Sequence, residues 1–169
     1  MSMESGFLLQ AYQAAVGAQH IFPEFAACEA ALESAWGRSR LAIEANNLFG
    51  QKQAHPPLEG AGTVLLPTRE FLHGSWVTVM AQWVKFADWR SCFVARMQLL
   101  VRFAQDQPDY AAALRASTGE QFVQAVSRRW STDPQRAGKV LSIYDEHQNV
   151  FPLVSAKGPQ TSDNTAPAA

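Results

Sequence analysis

The apolar residues of this chain change their spacing in one central stretch, and that change limits the folds open to it. Residues 63–86 alternate apolar and polar in two runs separated by His73 and Gly74, whereas on both sides apolar residues recur every three or four positions. Alternation at period two is typical of a hairpin, and the longer spacing is typical of amphipathic helices. Pro67 predicts that the first strand is an edge strand or is bulged. The sequence therefore predicts an α+β fold with a small β-hairpin lobe between two groups of helices.

Capping residues predict where several of the helices begin and end. Trp36 and Gly37 end an Ala-rich segment, with Gly37 as the C-terminal cap. Thr132 or Asp133, followed by Pro134, predicts the start of the last helix. Helices are predicted over residues 4–19, 24–35, about 39–45 and 89–103, with a helical turn from 108 and two further helices from about 117 and 134.

Composition indicates one globular domain. The chain has 169 residues, of which 47% are apolar and 17% charged, a balance that excludes general disorder. We expect a single domain over residues 1–153 and a disordered tail over 154–169, because the tail is polar and contains Pro, Gly and Ser. A formal net charge of −1 offers no broad basic surface, which argues against nucleic acid as a partner. We expect a monomer.

Cysteine and histidine spacing predicts neither a metal site nor a cofactor. Cys28 and Cys92 lie in apolar helical stretches and are interpreted as buried small side chains, with a disulfide as the alternative. The four histidines are scattered without acidic or cysteine partners at ligand spacing. The first twenty residues include Glu4 and no Lys or Arg, which favours a helix over a signal peptide. No apolar run approaches the roughly 18 residues of a membrane span, so no membrane insertion is expected.

Glu33 is the acidic residue whose surroundings call for an explanation. It lies near the end of the predicted Ala-rich helix, where partial burial and the negative end of the helix dipole disfavour a charged carboxylate. A carboxyl that stays protonated near neutral pH suits general acid catalysis. A solvated glutamate at a helix end, or one bonded to a nearby backbone N–H or hydroxyl, is the alternative. Glu29, one turn earlier on the same face, could compete for the acid role.

A motif around Glu33 decides between these alternatives. The stretch "ALESAWGRSRLAIEANNLFGQK" resembles the signature of the bacterial peptidoglycan glucosaminidases of glycoside hydrolase family 73. The resemblance implies a lysozyme-like fold whose hairpin lobe flanks a catalytic cleft, with Glu33 as the general acid. "PTREFLHGSWVTV" is similar to the lobe of that family and implies Glu70 as the second carboxylate. A strand residue that pairs with Arg69 or Lys85 is the structural alternative for Glu70.

The same resemblance implies the residues that line the substrate cleft. The segments "YAAAL" and "WSTDPQRAGKVLSIY" are similar to the closing helices of the family, usually written "GYATDPxYAxKL", and Trp130 stands where the family has its first Tyr. Trp can stack on a sugar but has no phenolic oxygen. Asn47 could instead serve the turn, and Tyr110 could instead pack in the core. The implied substrate-binding residues are Trp36, Asn47, Phe49, Tyr110 and Trp130.

The implied activity is hydrolysis of the β-1,4 bond on the reducing side of N-acetylglucosamine in peptidoglycan glycan strands. The distance from Glu33 to Glu70 would separate a nucleophile from a water-activating base, and substrate-assisted attack is a third mechanism. A muramidase or lytic transglycosylase on the same fold, or a sugar-binding module with weak activity, are the alternatives. The protein would act at the bacterial cell wall. It would arrive through a phage pore or a dedicated export machine, or as a domain of a longer protein.

Overall fold

The computed structural model describes residues 1–53 and 62–152, apart from the side chains of residues 70–72. The predicted order of helices, a hairpin and further helices is confirmed in this part of the chain, whereas the predicted domain end at 153 and the tail 154–169 lie outside it. The elements are α1 (Met3–Gly17), α2 (Pro23–Glu33), α3 (Arg40–Ala45), β1 (Thr63–Leu72), β2 (Ser75–Val84), α4 (Trp89–Phe103), α5 (Pro108–Leu114), α6 (Gly119–Trp130), α7 (Arg136–His147) and a 3₁₀ turn (Gln148–Val150).

Helix α2 is the centre of the helical body. Its alanines at 26, 27, 30 and 31 are fully buried, and small side chains let neighbouring helices approach closely. Phe25 stacks on Tyr144 of α7 with ring centroids 4.2 Å apart. A Cβ at Gly119, the first residue of α6, would lie 2.0 Å from the Phe25 ring, so only glycine fits there. Contacts with α1, α6 and α7 therefore fix the position of α2 and of the carboxylates it carries.

The hairpin is regular and its turn follows from two residues. β1 and β2 pair antiparallel without interruption from Thr63 opposite Val84 to Leu72 opposite Ser75. His73 and Gly74 both have positive φ, 50° and 80°, which is the type I′ geometry that matches the twist of the strands. The ladder continues through Pro67 without a bulge, and in a two-stranded sheet each strand is an edge strand.

The residues after α3 attach the hairpin to the helical body. The backbone N–H of Val84 donates to the carbonyl of Gln51 at 3.0 Å, and the N–H of Gln53 donates to the carbonyl of Gln82 at 3.0 Å. Lys52 forms a bridge with Trp83 of β2. The end of β2 is therefore held beside the segment that leaves α3, and this brings the lobe next to the end of α2.

Several helix ends lie about two residues from the predicted ones, and the end of α2 and the start of α7 have a visible cause. Helix α2 ends at Glu33 instead of residue 35, because Ala35, Trp36 and Gly37 all have positive φ and turn the chain sharply. The Ser34 hydroxyl supports this turn by donating to the carbonyl of Ala30 at 2.6 Å and accepting from the N–H of Gly37 at 2.8 Å. The sharp turn leaves Glu33 at an open corner of the fold.

The last helix also starts two residues later than predicted. Asp133 uses its carboxylate to accept from the N–H of Gln135 and its carbonyl to accept from the N–H of Arg136, so the chain makes a turn before α7 begins.

Both cysteines are free and buried, which confirms the interpretation of Cys28 and Cys92 as small core side chains. Burial raises the pKa of the Cys92 thiol to about 12.

Candidate active site

Glu33 opens onto a cleft between the helical body and the hairpin. Its side chain is 25% exposed. The cleft has a volume of about 420 Å³, and β2 contributes Trp83 to it. Three of the predicted substrate-binding residues, Phe49, Tyr110 and Trp130, line this cleft together with Glu33. The remaining lining residues are Gly50, Gln51, Lys52, Leu99 and Phe103.

The Glu33 carboxylate is held by an arginine from the far end of the chain. The Nε–H of Arg136 donates to Oε1 of Glu33 at 2.7 Å. The Arg136 side chain is 1% exposed, and its other two nitrogens donate to Ser127 Oγ at 2.8 Å and to Glu29 Oε1 at 2.9 Å. The Glu33 carboxylate and the Arg136 guanidinium thus form a charge-assisted pair at the edge of the cleft.

Glu29 lies one turn before Glu33 but in the interior. It is fully buried, and both of its oxygens also accept from Nη2 of Arg96, at 3.1 and 3.2 Å. Burial by itself would raise the pKa of Glu29, but the guanidiniums of Arg96 and Arg136 hold that pKa below its usual value. Glu29 therefore does not compete with Glu33 for the cleft. We call Glu29, Glu33, Arg96 and Arg136 the arginine cluster.

Arg96 connects the arginine cluster to the aromatic wall of the cleft, which is formed by Trp130 and Phe49. Its Cζ lies 3.5 Å from the ring centroid of Trp130 and 4.6 Å from that of Phe49. Nε and Nη1 of Arg96 are buried and have no hydrogen-bond partner among the described residues. A cation over an aromatic face gains electrostatic stabilisation without a hydrogen bond. The Trp130 ring thus stabilises the Arg96 guanidinium and also lines the cleft.

Asn47, a predicted substrate-binding residue, is not available to a ligand. It is 1% exposed, and its amide group donates to the carbonyls of Gln51 and Val84 at 2.9 Å each. Its carbonyl oxygen accepts from the N–H of Gln51 at 3.0 Å. These bonds tie the NLFG segment to β2. The structure thus favours the turn-forming alternative for this residue.

Trp36 lies outside the cleft of Glu33. It contacts Phe7 and His147 edge to face, with centroid distances of 6.2 and 5.5 Å. It lines a separate pocket of about 550 Å³ with Phe7 and Trp89, near the start of α1. The positive φ of Trp36 explains this, because the turn after Glu33 carries the chain away from the cleft. The structure does not bring Trp36 to the acid.

Comparison with known proteins assigns the chain to a family. Residues 9–149 match the glucosaminidase family, described as mannosyl-glycoprotein endo-beta-N-acetylglucosaminidase. The chain belongs to this family. The resemblance identified from the sequence is thereby confirmed.

This glucosaminidase chain matches one part of each of its longer curated relatives. It is 30% identical over 144 residues to the exo-glucosaminidase LytG of Bacillus subtilis, a match that covers 81% of this chain and 50% of that protein. It is 28% identical over 153 residues to a probable N-acetylmuramidase of Lactococcus lactis, covering 88% of this chain and 33% of that protein. The chain thus spans half or less of the length of these relatives.

Solved structures confirm the lysozyme-like α+β fold. The catalytic domain of the autolysin Auto from Listeria monocytogenes superposes with a TM-score of 0.76 at 24% identity, covering 89% of this chain and 86% of that one. The glycoside hydrolase domain of FlgJ from Salmonella typhimurium, in a C-terminally truncated form, superposes with a TM-score of 0.65 at 27% identity, covering 86% and 98%.

The role of Glu70 as the second carboxylate stays a prediction. Glu70 lies in β1 opposite Val77, and its side chain is outside the described part of the chain, so its distance from Glu33 is not described either.

Among the described residues, no group of three or more His, Cys, Asp or Glu side chains is arranged to hold a metal ion. None of the described helices has both the length and the apolarity needed to span a membrane.

The sequence interpretation missed Arg136 and Arg96. One signal for Arg136 was present, because the family motif "DPxYAxKL" has Tyr where this chain has Arg136. A buried charge needs a countercharge, and Glu29 supplies it 107 residues earlier. Arg96 gave no comparable signal, since an arginine on an amphipathic helix is usually solvated.

Proposed function

We propose that this domain is a peptidoglycan hydrolase that cleaves the β-1,4 bond on the reducing side of N-acetylglucosamine, and that Glu33 is its general acid. The observation that carries the proposal is the position of Glu33, a partly exposed carboxyl at the end of a buried helix that opens on an aromatic-lined cleft. Membership of the glucosaminidase family supports the reaction class. The domain would act at the bacterial cell wall as a monomer, arriving by one of the routes named above.

The Arg136 contact suggests which oxygen of Glu33 carries the catalytic proton. Oε1 is engaged by Nε of Arg136, which leaves Oε2 to hold the proton and donate it to the glycosidic oxygen. As the C–O bond breaks, the carboxylate that forms on Glu33 is stabilised by the guanidinium already in place. The water oxygen bonds to the anomeric carbon, and its proton passes to a base.

Glu70 is our candidate for that second group. The family resemblance supports this role, and β1 places its backbone on the lobe whose Trp83 lines the cleft. Either Glu70 activates the water or it stabilises the developing positive charge on the sugar. Trp130 is proposed to stack on the sugar, since aromatic faces pack well against the apolar faces of pyranose rings. Phe49 and Tyr110, which are 3% and 5% exposed, are proposed to form the buried floor of the sugar site.

A muramidase is the second candidate, because relatives in Lactococcus lactis are named probable N-acetylmuramidases. Mass spectrometry of muropeptides released from purified cell walls separates the candidates. Reducing N-acetylglucosamine ends support the proposal, reducing N-acetylmuramic acid ends support the muramidase, and anhydro ends indicate a lytic transglycosylase. Wall binding without any released ends would indicate a sugar-binding module. Glu33→Gln serves as the inactive reference, and Glu44→Gln, on the surface of α3, as the matched active control.

A further inference from the structure

A second groove shares the Trp130 side chain with the cleft of Glu33. It has a volume of about 820 Å³ and lies between the end of α6 and the start of α7. Trp130 lines both the cleft and this groove. The cleft and the groove therefore adjoin each other at this side chain.

Two arginines give one side of the groove a positive charge. Arg128 and Arg129 line it, and their side chains are 65% and 55% exposed. Each donates one hydrogen bond to Asp109, at 3.4 and 3.3 Å. One carboxylate thus serves two guanidiniums, and most of their N–H donors remain available. Asp109 directly precedes Tyr110 of the cleft, so these two bonds link both arginines to α5, the helix that carries Tyr110.

The acid on the other side of the groove is already neutralised. Asp133 accepts from Nζ of Lys139 at 2.7 Å and from the N–H of Gln135 at 2.9 Å. The other groove residues that can bond a peptide backbone are neutral, namely Gln124, Ser131 and Thr132. The groove therefore combines excess positive charge with hydroxyl and amide groups, a combination suited to a peptide that bears carboxylates.

We propose that this groove binds the carboxylate-bearing peptide that branches from the glycan strand, with Arg128 and Arg129 pairing with its carboxylates. The inference rests on the proposed function, since the peptide enters only when its sugar occupies the cleft. The groove then makes the domain select glycan strands that still carry their peptides over bare strands. Planar guanidiniums bind carboxylates through two parallel hydrogen bonds, so Lys in their place would recover only part of the effect.

The test compares kcat/KM on two substrates made from the same walls, freed of attached phosphate polymers. One keeps its peptides, and the other has lost them by amidase treatment. For Arg128→Gln/Arg129→Gln we expect the ratio of kcat/KM, peptide-bearing over bare, to fall roughly tenfold, as for the loss of a charge-assisted contact. Arg115→Gln, an exposed arginine outside the groove, is the matched control and should keep the wild-type ratio.

The outcomes separate this inference from the proposed function. A wild-type protein that cleaves neither substrate overturns the proposed hydrolase activity. A wild-type protein that cleaves both, with the same ratio in the double variant, overturns the peptide groove and leaves the hydrolase intact. A ratio that falls in Arg128→Gln/Arg129→Gln and recovers partly in Arg128→Lys/Arg129→Lys supports the groove. The ratio should also fall as salt is raised, because exposed ion pairs are screened.

Discussion

Glu29 and Glu33 lie one turn apart on the same helix and have nearly the same neighbours in the sequence, yet they occupy opposite environments. Glu29 is fully buried with two arginines on its oxygens, whereas Glu33 keeps 25% of its side chain exposed and shares only Arg136. Arg136 donates to both carboxylates. Burial and the number of partners, not residue type, thus separate a structural carboxylate from a proposed catalytic one.

The comparison also shows why the buried carboxylate matters to the exposed one. Two buried guanidiniums without Glu29 would leave uncompensated charge in the core. With Glu29 in place, Arg136 reaches the acid and Arg96 stacks on the aromatic wall. One interior residue thus holds two parts of the candidate site.

Glu33→Gln should cause the largest loss of activity while changing stability little. Hydrolysis of purified walls should fall about a thousandfold, in the range lost with a general acid. The melting temperature should change little, because the glutamine carbonyl can still accept from Arg136. Released reducing ends and a thermal melt measure the two effects. Wild-type lysis by this variant would refute the assignment of the acid.

Glu29→Gln should lower stability more than Glu33→Gln does. Removing one partner of a buried ion pair costs about 3–5 kcal/mol, which corresponds to a fall in melting temperature of roughly 10 °C in a chain of this size. Activity should drop as well, since Arg136 and Arg96 lose their anchor. Urea unfolding at pH 7 measures the loss, with Glu44→Gln as the surface control. A variant as stable as the wild type would contradict the role given to Glu29.

The same pair of proteins predicts a pH dependence with a definite sign. The folded-state pKa of Glu29 lies below its usual value, so its contribution is fully present above the unfolded value of about 4.3. That contribution is lost as the pH falls through the lower folded pKa. The stability difference between wild type and Glu29→Gln should therefore be largest near pH 7 and narrow in strong acid. A difference that widens on acidification would contradict the prediction.

Arg136→Lys should have an intermediate effect on the acid. Lysine keeps a positive charge but lacks the planar fork that contacts Glu29, Ser127 and Glu33 together. We expect kcat to fall about tenfold with a smaller change in KM, because the change affects the acid and not the sugar contacts. A purely structural role would instead lower the melting temperature and leave the kcat of the folded protein unchanged.

Trp130→Phe should have the smallest effect of the four variants. Phenylalanine retains an aromatic face for Arg96 but is a weaker partner for a cation than Trp, so stability should fall by about 1 kcal/mol. kcat/KM on peptide-free strands should fall a few-fold through the reduced sugar contact. Trp76→Phe, on the exposed side of β2, is the matched control. Equal changes in stability and kcat/KM in Trp130→Phe and Trp76→Phe would contradict the role given to Trp130 in the cleft.

Several parts of the fold could be predicted because they depend on local chemistry. The His73–Gly74 turn needs positive φ at both residues, and alternation on either side of it specifies two strands. Glu33 could be singled out from its motif. The end of α2 could not, because the three left-handed residues after Ser34 are held by the bond from the Gly37 N–H to Ser34 Oγ and by the fit of Gly37 against Phe7.

The residues misplaced from the sequence are those whose role depends on distant partners. Asn47 was interpretable either as a ligand or as a turn residue, and its bond to Val84, 37 residues away, decides for the turn. Trp36 follows the acid in the chain, yet the backbone turn directs it to a different pocket. No local pattern reports such contacts.

The sequence by itself determined the order of helices and strands, the family and the candidate acid, since these follow from periodicity, turn chemistry and a motif read along the chain. The tertiary structure decided the environment of that acid. Glu33 meets Arg136 across 103 residues, and Glu29 meets Arg96 across 67. Charge pairs in the interior form between whichever side chains the packing of α2, α4 and α7 brings within hydrogen-bonding distance, and that packing is a property of the whole fold.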